Sequence, residues 1–393
     1  MSIIYKEASL METTYMDNAA TTFPKPESVY RAVDHFNRYL GGNPGRGSNK
    51  KTLKAGSVLL ECRDALAELF NIRDSSCLAF AFNVTEALNI GLKGLLNSGD
   101  HVITTSMEHN SVARPLFVFQ GRGIEWTAVR CAEDGSLDPE EIRKAIRTNT
   151  RLICILHASN LTGTIMPVAE VGKLARENNI LFMVDSAQTA GVLALDVEEQ
   201  NIDILCFTGH KGLLGPQGTG GIYVRPGVEI RPLKQGGTGS LSEFLEHPEF
   251  LPDLLESGTP NTPGITGLLA GAEFIKKTGI ENIRKHEQRL TGYLLEGLKE
   301  IRGLIIHGPA DADRQTAVVP FNIDGMDCGE ISMNLDYEFG IVTRSGLHCA
   351  PLAHRTIGSF ERGACRLSPG YFNTEDDIRK VIEAVHTIAK RSG

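Results

Sequence analysis

Three positions near the middle of the chain could do chemistry together. Asp185 closes the apolar run Ile180-Leu181-Phe182-Met183-Val184, and Gln188 follows three residues later. Lys211 stands just past a second apolar run, 204–207, after Thr208-Gly209-His210, and a glycine-rich stretch, 212–221, comes next. An acid at one strand end and a lysine beyond another could be a plain ion pair. Their neighbours favour another use. A lysine able to bond an aldehyde, with an aspartate that keeps a pyridine nitrogen protonated, is what pyridoxal phosphate needs to act as an electron sink. Ser186-Ala187-Gln188 and Thr208-Gly209-His210 add small polar groups suited to that cofactor's phosphate and phenolic oxygen.

A thiol is the next candidate. The eight cysteines, Cys62, Cys77, Cys131, Cys154, Cys206, Cys328, Cys349 and Cys365, are scattered and form no CxxC pair. That spacing suits a reducing cytosol and argues against a disulfide framework or a zinc ribbon. Most cysteines are buried small hydrophobes. Cys349 differs in its setting, with Gly346 and Pro351 marking a loop and Arg344, His348 and His354 close in sequence. Basic neighbours lower a thiol pKa, and the thiolate is the attacking species.

Elements must position these groups. Apolar, β-branched runs at 77–82, 101–105, 152–157, 180–185, 204–208 and 221–224 read as strands. They alternate with helical patterns at 139–147, opened by Asp138-Pro139, and at 168–178. Strands that are apolar almost throughout, separated by helices, predict a mainly parallel sheet covered on both faces, with ligands outside the strands' carboxyl ends. A helix over 55–70 keeps Leu59, Cys62, Leu66 and Leu69 on one face. The Gly/Pro/Ser-rich stretch 232–264 is too long for a simple connection and reads as a functional loop. Beyond it, Leu290, Leu294, Leu298 and Ile301 mark a long amphipathic helix. A capping-box pattern, Thr374 with Asp377, opens a last helix that buries Ile378, Val381, Ile382, Val385 and Ile388.

Whole-chain properties narrow the class. The 393 residues carry 40 Lys+Arg against 48 Asp+Glu, a net charge of -8, without the basic footprint of a nucleic-acid binder. No apolar run approaches the ~18–20 residues of a membrane span. Residues 1–10 lack the apolar stretch of a signal peptide. The expectation is a cytoplasmic protein with no nucleic-acid or membrane partner.

Taken together, Met16-Asp17-Asn18-Ala19-Ala20-Thr21-Thr22, Val184-Asp185-Ser186-Ala187-Gln188 and Gly209-His210-Lys211 resemble the class V aminotransferase family of pyridoxal phosphate enzymes, fold type I. Arg344-Ser345-Gly346-Leu347-His348-Cys349 narrows the resemblance to the group II cysteine desulfurases, a branch that includes selenocysteine lyases. The resemblance runs from Tyr15 to the end. It implies an α/β fold whose large domain, 16–264, holds a mixed, mainly parallel seven-stranded sheet. A smaller α+β domain, 265–393, would follow, with residues 1–30 packing against it.

The same resemblance assigns roles. Lys211 bonds the cofactor covalently and moves the Cα proton. Asp185 pairs with the pyridinium nitrogen, and His109 stacks on the ring. Asn160 and Gln188 reach the phenolic oxygen; Thr85, at a helix start, Thr208 and His210 hold the phosphate. Thr259 reaches the phosphate across a homodimer interface. Arg366 grips the substrate carboxylate, as bidentate guanidinium geometry favours, and Arg344, Asn160 and Ala19 line the substrate pocket. Cys349 takes the sulfur of L-cysteine as a persulfide and hands it to an acceptor protein, releasing L-alanine; this is the sulfur mobilisation that feeds iron–sulfur cluster assembly. No metal is implied. Two departures stand out: Asn43-Pro44-Gly45-Arg46-Gly47-Ser48 replaces a histidine-containing segment, and Leu347 replaces a second histidine before His348. Selenocysteine lyase, an aminotransferase or C–S lyase on the same fold, and a non-catalytic sulfur-relay scaffold are the alternatives.

Overall fold

The computed structural model describes residues 13–45 and 49–391. In chain order its strands are β1 (Thr14–Tyr15), β2 (Leu78–Ala81), β3 (His101–Thr105), β4 (Glu125–Val129), β5 (Thr150–Leu156), β6 (Leu181–Asp185) and β7 (Ile204–Thr208). They continue with β8 (Gly220–Val224), β9 (Leu304–Ile306), β10 (Val319–Ile323), β11 (Ile341–Val342), β12 (Arg344–Gly346) and β13 (Ala364–Leu367). The α-helices are α1 (Glu27–His35), α2 (Lys50–Leu69), α3 (Val84–Leu95), α4 (Asn110–Gln120), α5 (Pro139–Ala145) and α6 (Val168–Glu177). After them come α7 (Thr262–Thr278), α8 (Ile280–Lys299), α9 (Cys328–Phe339), α10 (Pro351–Thr356) and α11 (Glu375–Ala389).

Seven strands form one sheet in the order β2-β8-β7-β6-β5-β3-β4. From β7 to β4 all neighbours are parallel, and β8 runs antiparallel to both β7 and β2. This is the mainly parallel sheet that the apolar runs predicted, with the mixed, seven-stranded make-up that the family resemblance implied. Alternation within each strand feeds two cores. Ile153, Ile155, Phe182, Val184, Leu205 and Phe207 pack against α2, α6 and α7. Leu152, Cys154, Met183, Ile204 and Cys206 pack against α3 and α4. The edge strand β4 is half-exposed along Glu-Trp-Thr-Ala-Val, so it offers no continuous apolar run, and the sequence reading passes over it.

A second, antiparallel sheet, β12-β13-β10-β9, shares a core with α8, α9 and α11 through Leu290, Leu294, Leu298, Phe321, Ile331, Val381 and Val385. The chain start joins this part: β1 pairs with β11, and Met16 lies in the same core. By contrast α1 packs on α7. Residues 1–12 of the segment expected to pack here lie outside the described residues. Ile265, Leu268, Ala272 and Ile275 of α7, past the division read at 265, belong to the core of the large sheet.

Helix α2 starts earlier than its apolar face suggested, because Asn49 caps it by accepting the Thr52 N–H at 3.0 Å. The capping box at Thr374 and Asp377 is present, with bonds of 3.2 and 2.9 Å. Between β8 and α7 the chain makes only turns, as expected of a loop. No helix among the described residues is long and apolar enough to cross a membrane.

Candidate active site

The carboxyl ends of the parallel strands converge on one region. Asp185 is the last residue of β6, Thr208 is the last of β7 with Lys211 just beyond, and Glu108 and His109 follow β3. Asp185 is buried, and its Oδ1 accepts the Ala187 N–H at 2.9 Å. Burial pushes its pKa up, while that hydrogen bond and the Lys211 charge draw it back. Burial pushes the Lys211 amine down to about 8; Arg366 and Arg344 act in the same sense and Asp185 opposes them. A buried anion and a buried amine of lowered basicity therefore feel each other directly.

His109 caps α4. Its Nδ1 accepts the Ser111 N–H at 3.1 Å and lies 2.8 Å from Ser111 Oγ, which is 2.7 Å from Thr85 Oγ1. Nδ1 is thus an acceptor, and the neutral ring carries its hydrogen on Nε2. Burial, with Lys211 and Arg114 beside it, pushes His109 down to about 4. Ser111, which the sequence reading passed over, thereby ties His109 to Thr85. Thr85 sits in the first turn of α3, capped by Asn83 through the Glu86 N–H, where a helix leaves N–H groups without intrahelical partners.

Asn160 donates to the His348 carbonyl at 2.7 Å, leaving its Oδ1 buried without a partner. Gln188 donates one N–H to the Ala19 carbonyl at 3.0 Å. His210 Nδ1 is likewise buried and unpartnered, and Thr208 makes only a long 3.4 Å contact to the Thr219 carbonyl. Lys211, Gln188, Ala19 and Asn18 line one small cavity, joined by Glu287 of α8. Glu287 is a carboxyl that burial raises to about 7 against the pull of Arg284. Nothing in the spacing of its helix singled it out.

Arg366 is buried but already engaged. Its Nη2 binds Asp17 Oδ1 at 2.8 Å, its Nη1 binds the Asn160 carbonyl at 2.8 Å, and Nε has no partner. Asp17 also takes Arg344 Nε at 3.1 Å, so one carboxylate bridges both arginines. A substrate carboxylate reaching Arg366 would use the hydrogens that remain. Asp17, within a quoted motif but without an expected role, is the residue this geometry adds.

Seven of the eight cysteines are buried, and Cys349 is exposed. It lines a cleft of about 480 Å³ with Thr85, His109, Asn110, Ser111 and Arg114. Its carbonyl accepts the Asn110 N–H at 2.8 Å, fixing the loop to the start of α4. One expectation is corrected. Burial drives His348 to about 3 and His354 to about 4, so both are neutral near pH 7 and give Cys349 no positive charge. Arg344 is a half-exposed cation elsewhere in the segment. Thr259 does not join the cluster within its own chain; it is exposed and lines a separate cleft with Phe82, Glu86 and Lys234.

The chain is similar to known proteins over nearly its whole length. The sequence matches "Aminotransferase class-V" over residues 14–381, and the chain belongs to that family. It is 35% identical over 387 residues to a Methanothermobacter thermautotrophicus protein named "Probable cysteine desulfurase", covering 97% of this chain and 96% of that one. It is 31% identical over 404 residues to a cysteine desulfurase of Escherichia coli O127:H6, covering 100% and 97%. Its fold superposes on the apo structure of a cysteine desulfurase from Thermococcus onnurineus with a TM-score of 0.91, 29% identity and full coverage of both chains.

Enzymes of this family depend on pyridoxal phosphate, and the residues present fit it. The orphaned buried atoms of His210 and Asn160 call for partners that the protein does not supply. The donor set also matches: a buried carboxyl for a ring nitrogen, an amine for an aldehyde, and hydroxyls at a helix start for a phosphate.

Proposed function

We propose that this chain is a cysteine desulfurase that takes the sulfur of L-cysteine onto Cys349 as a persulfide and releases L-alanine. The observation that carries the reading is the exposure of Cys349, alone among eight cysteines, on a loop that Asn160 ties to the cofactor residues.

Pyridoxal phosphate, when bound, supplies an electron sink for charge left at the substrate α carbon. Lys211 would anchor it, and the lowered basicity of that amine suits it to take and return the Cα proton near neutral pH. Asp185 would hold the ring nitrogen protonated, and His109 would cover a ring face with a neutral imidazole. Thr85, Thr208 and His210 would bind the phosphate, and Asn160 and Gln188 the phenolic oxygen. Arg366, steadied by Asp17, would orient the substrate carboxylate beside Ala19 and Arg344. The Cys349 thiolate then accepts the sulfur, and its exposure lets a sulfur-acceptor protein reach the persulfide.

The assembly we infer is a homodimer. Thr259 is exposed in a stretch that also exposes Phe244, Leu245 and Phe250, and the cleft it lines includes none of the cofactor residues named above. A second copy would place it at the phosphate and cover those side chains. We infer a cytoplasmic setting, which the scattered cysteines without paired spacing support.

The test is product analysis after loading with pyridoxal phosphate and supplying cysteine, selenocysteine or cysteine sulfinate in turn. Alanine from cysteine is expected. Pyruvate as the main product from cysteine would indicate a C–S lyase, and turnover of selenocysteine alone would indicate a selenocysteine lyase.

A further inference from the structure

Behind the Cys349 loop runs a chain of hydrogen bonds that the reaction does not use. Ser359 Oγ lies 2.7 Å from His354 Nδ1, His354 Nε2 lies 3.4 Å from His348 Nδ1, and His348 Nε2 lies 3.4 Å from the Arg344 carbonyl oxygen. All three side chains are buried. The two imidazole planes lie 12° from parallel with centroids 5.7 Å apart.

The chain has one direction. A carbonyl oxygen can only accept, so His348 carries a hydrogen on Nε2. A second proton is opposed by burial and by the groups facing the pair, Arg366, Arg344 and His354 around His348 and His307 near His354, which outweigh the backbone hydrogen bonds at Arg344 and Ser359 that favour it. With one hydrogen per ring, His348 Nδ1 must accept and His354 Nε2 must donate to it. His354 Nδ1 is then an acceptor, and the Ser359 hydroxyl donates to it.

The residues held by this chain need holding. His348 and Cys349 have φ of 49° and 56°, consecutive left-handed conformations that side chains other than glycine avoid. Their backbone is pinned on one side by Asn160 to the His348 carbonyl and by Asn110 to the Cys349 carbonyl. The histidine chain fixes the His348 side chain from the other.

We propose that Ser359, His354 and His348 form a positioning device that locks the left-handed His348-Cys349 pair and so holds the Cys349 thiol at the cleft it shares with His109 and Thr85. His354 and Ser359 are positioning residues, and neither imidazole serves the thiol as a base. The consequence for turnover rests on Cys349 being the sulfur acceptor.

Three readouts on the holoenzyme test this. In ¹⁵N-histidine NMR, His348 and His354 should both appear as neutral Nε2–H tautomers between about pH 6 and 8. An imidazolium or an Nδ1–H tautomer at either would overturn the proposal. His354→Ala should lower alanine formation from cysteine about tenfold with the cofactor absorbance unchanged. His354→Gln, whose amide N–H can still donate to His348, should restore most of the rate. A wild-type rate in His354→Ala, or no rescue by glutamine, would contradict the proposal. If His354→Ala does not fold, Ser359→Ala, which breaks only the far end, should show a smaller loss, and an unchanged rate there would count against the device. Alkylation of Cys349 by iodoacetamide needs no turnover. Its rate should shift in His354→Ala and return in His354→Gln, and an unshifted rate would refute the positioning role. Should Cys349→Ala still make alanine, the desulfurase reading would fail while the tautomers and alkylation rates judge the positioning role separately.

Discussion

At the scale of single residues, burial decides which groups can move protons. Lys211 is lowered to about 8, where an ordinary lysine titrates near ~10.4. The rate at which the apoprotein takes up pyridoxal phosphate, followed by absorbance, should therefore rise with pH through a midpoint near 8. A rate still climbing steeply above pH ~10 would show an ordinary, solvated amine. Glu108 is a second case. It is fully buried, takes hydrogen bonds from Thr105 Oγ1 at 2.8 Å and the Leu156 N–H at 3.2 Å, and is raised to about 8 mainly by burial, with Asp185 adding. Its raised value means the native state binds the proton more tightly, so this group's contribution is present below about 4.5 and lost as pH rises toward 8. Glu108→Gln, which keeps an acceptor but cannot ionise, should gain stability over wild type between pH 5 and 8, by up to about 1.4 kcal/mol per pH unit. Paired thermal melts at the two pH values check it, and a gain that shrinks with rising pH would contradict the sign. Asp185, Lys211 and Cys349 were legible in sequence because each stands beside a strand end or in a telling loop. Asp17, Ser111 and Glu287 were not, since their roles arise from contacts such as Asp17 with Arg366, 349 positions apart.

At the scale of elements, Glu256 ties the loop 232–261 to helix α2 by an ion pair and to the edge strand β2 by a hydrogen bond. Arg63 of α2 binds Glu256 Oε1 at 2.6 Å, and the same oxygen accepts the Phe80 N–H of β2 at 2.6 Å. Both side chains are largely buried. Glu256→Ala would leave the Arg63 guanidinium buried beside Phe80 without its counter-charge, a loss of about 3–5 kcal/mol. Urea unfolding measures it, and a change below about 1 kcal/mol would mean water reaches Arg63 freely. This anchor was invisible in sequence, because position 256 pairs with a helix 193 residues earlier. The buried strands were the opposite case. Apolar runs such as Ile204-Leu205-Cys206-Phe207 announce themselves, whereas β4, half in solvent, does not.

For the whole molecule, the proposed shared-site dimer makes a complementation prediction. In a mixed dimer of Thr259→Ala and Lys211→Ala chains, one site receives the intact lysine from the first chain and the intact threonine from the second. Each mixed dimer then carries up to half the activity of a wild-type dimer, so a randomly exchanged equal mixture of two poorly active homodimers should rise toward about a quarter of wild type. No rise would place Thr259 with its own chain's site or outside both. The family, its sheet and a shared-site homodimer were all expected from motifs spread over the whole length of the chain, whereas the exposure of Thr259, Phe244 and Leu245 that supports the dimer was not legible there. The central claim is that Cys349 receives the sulfur, and one experiment reaches it most directly. Cys349→Ala, loaded with pyridoxal phosphate, should keep the cofactor's absorbance yet lose at least ~100-fold of its alanine formation from cysteine. Mass spectrometry of the wild-type protein after brief turnover should find about 32 Da, one sulfur atom, added to the Cys349 peptide. Undiminished alanine formation by Cys349→Ala, with the added sulfur on another cysteine, would contradict the account.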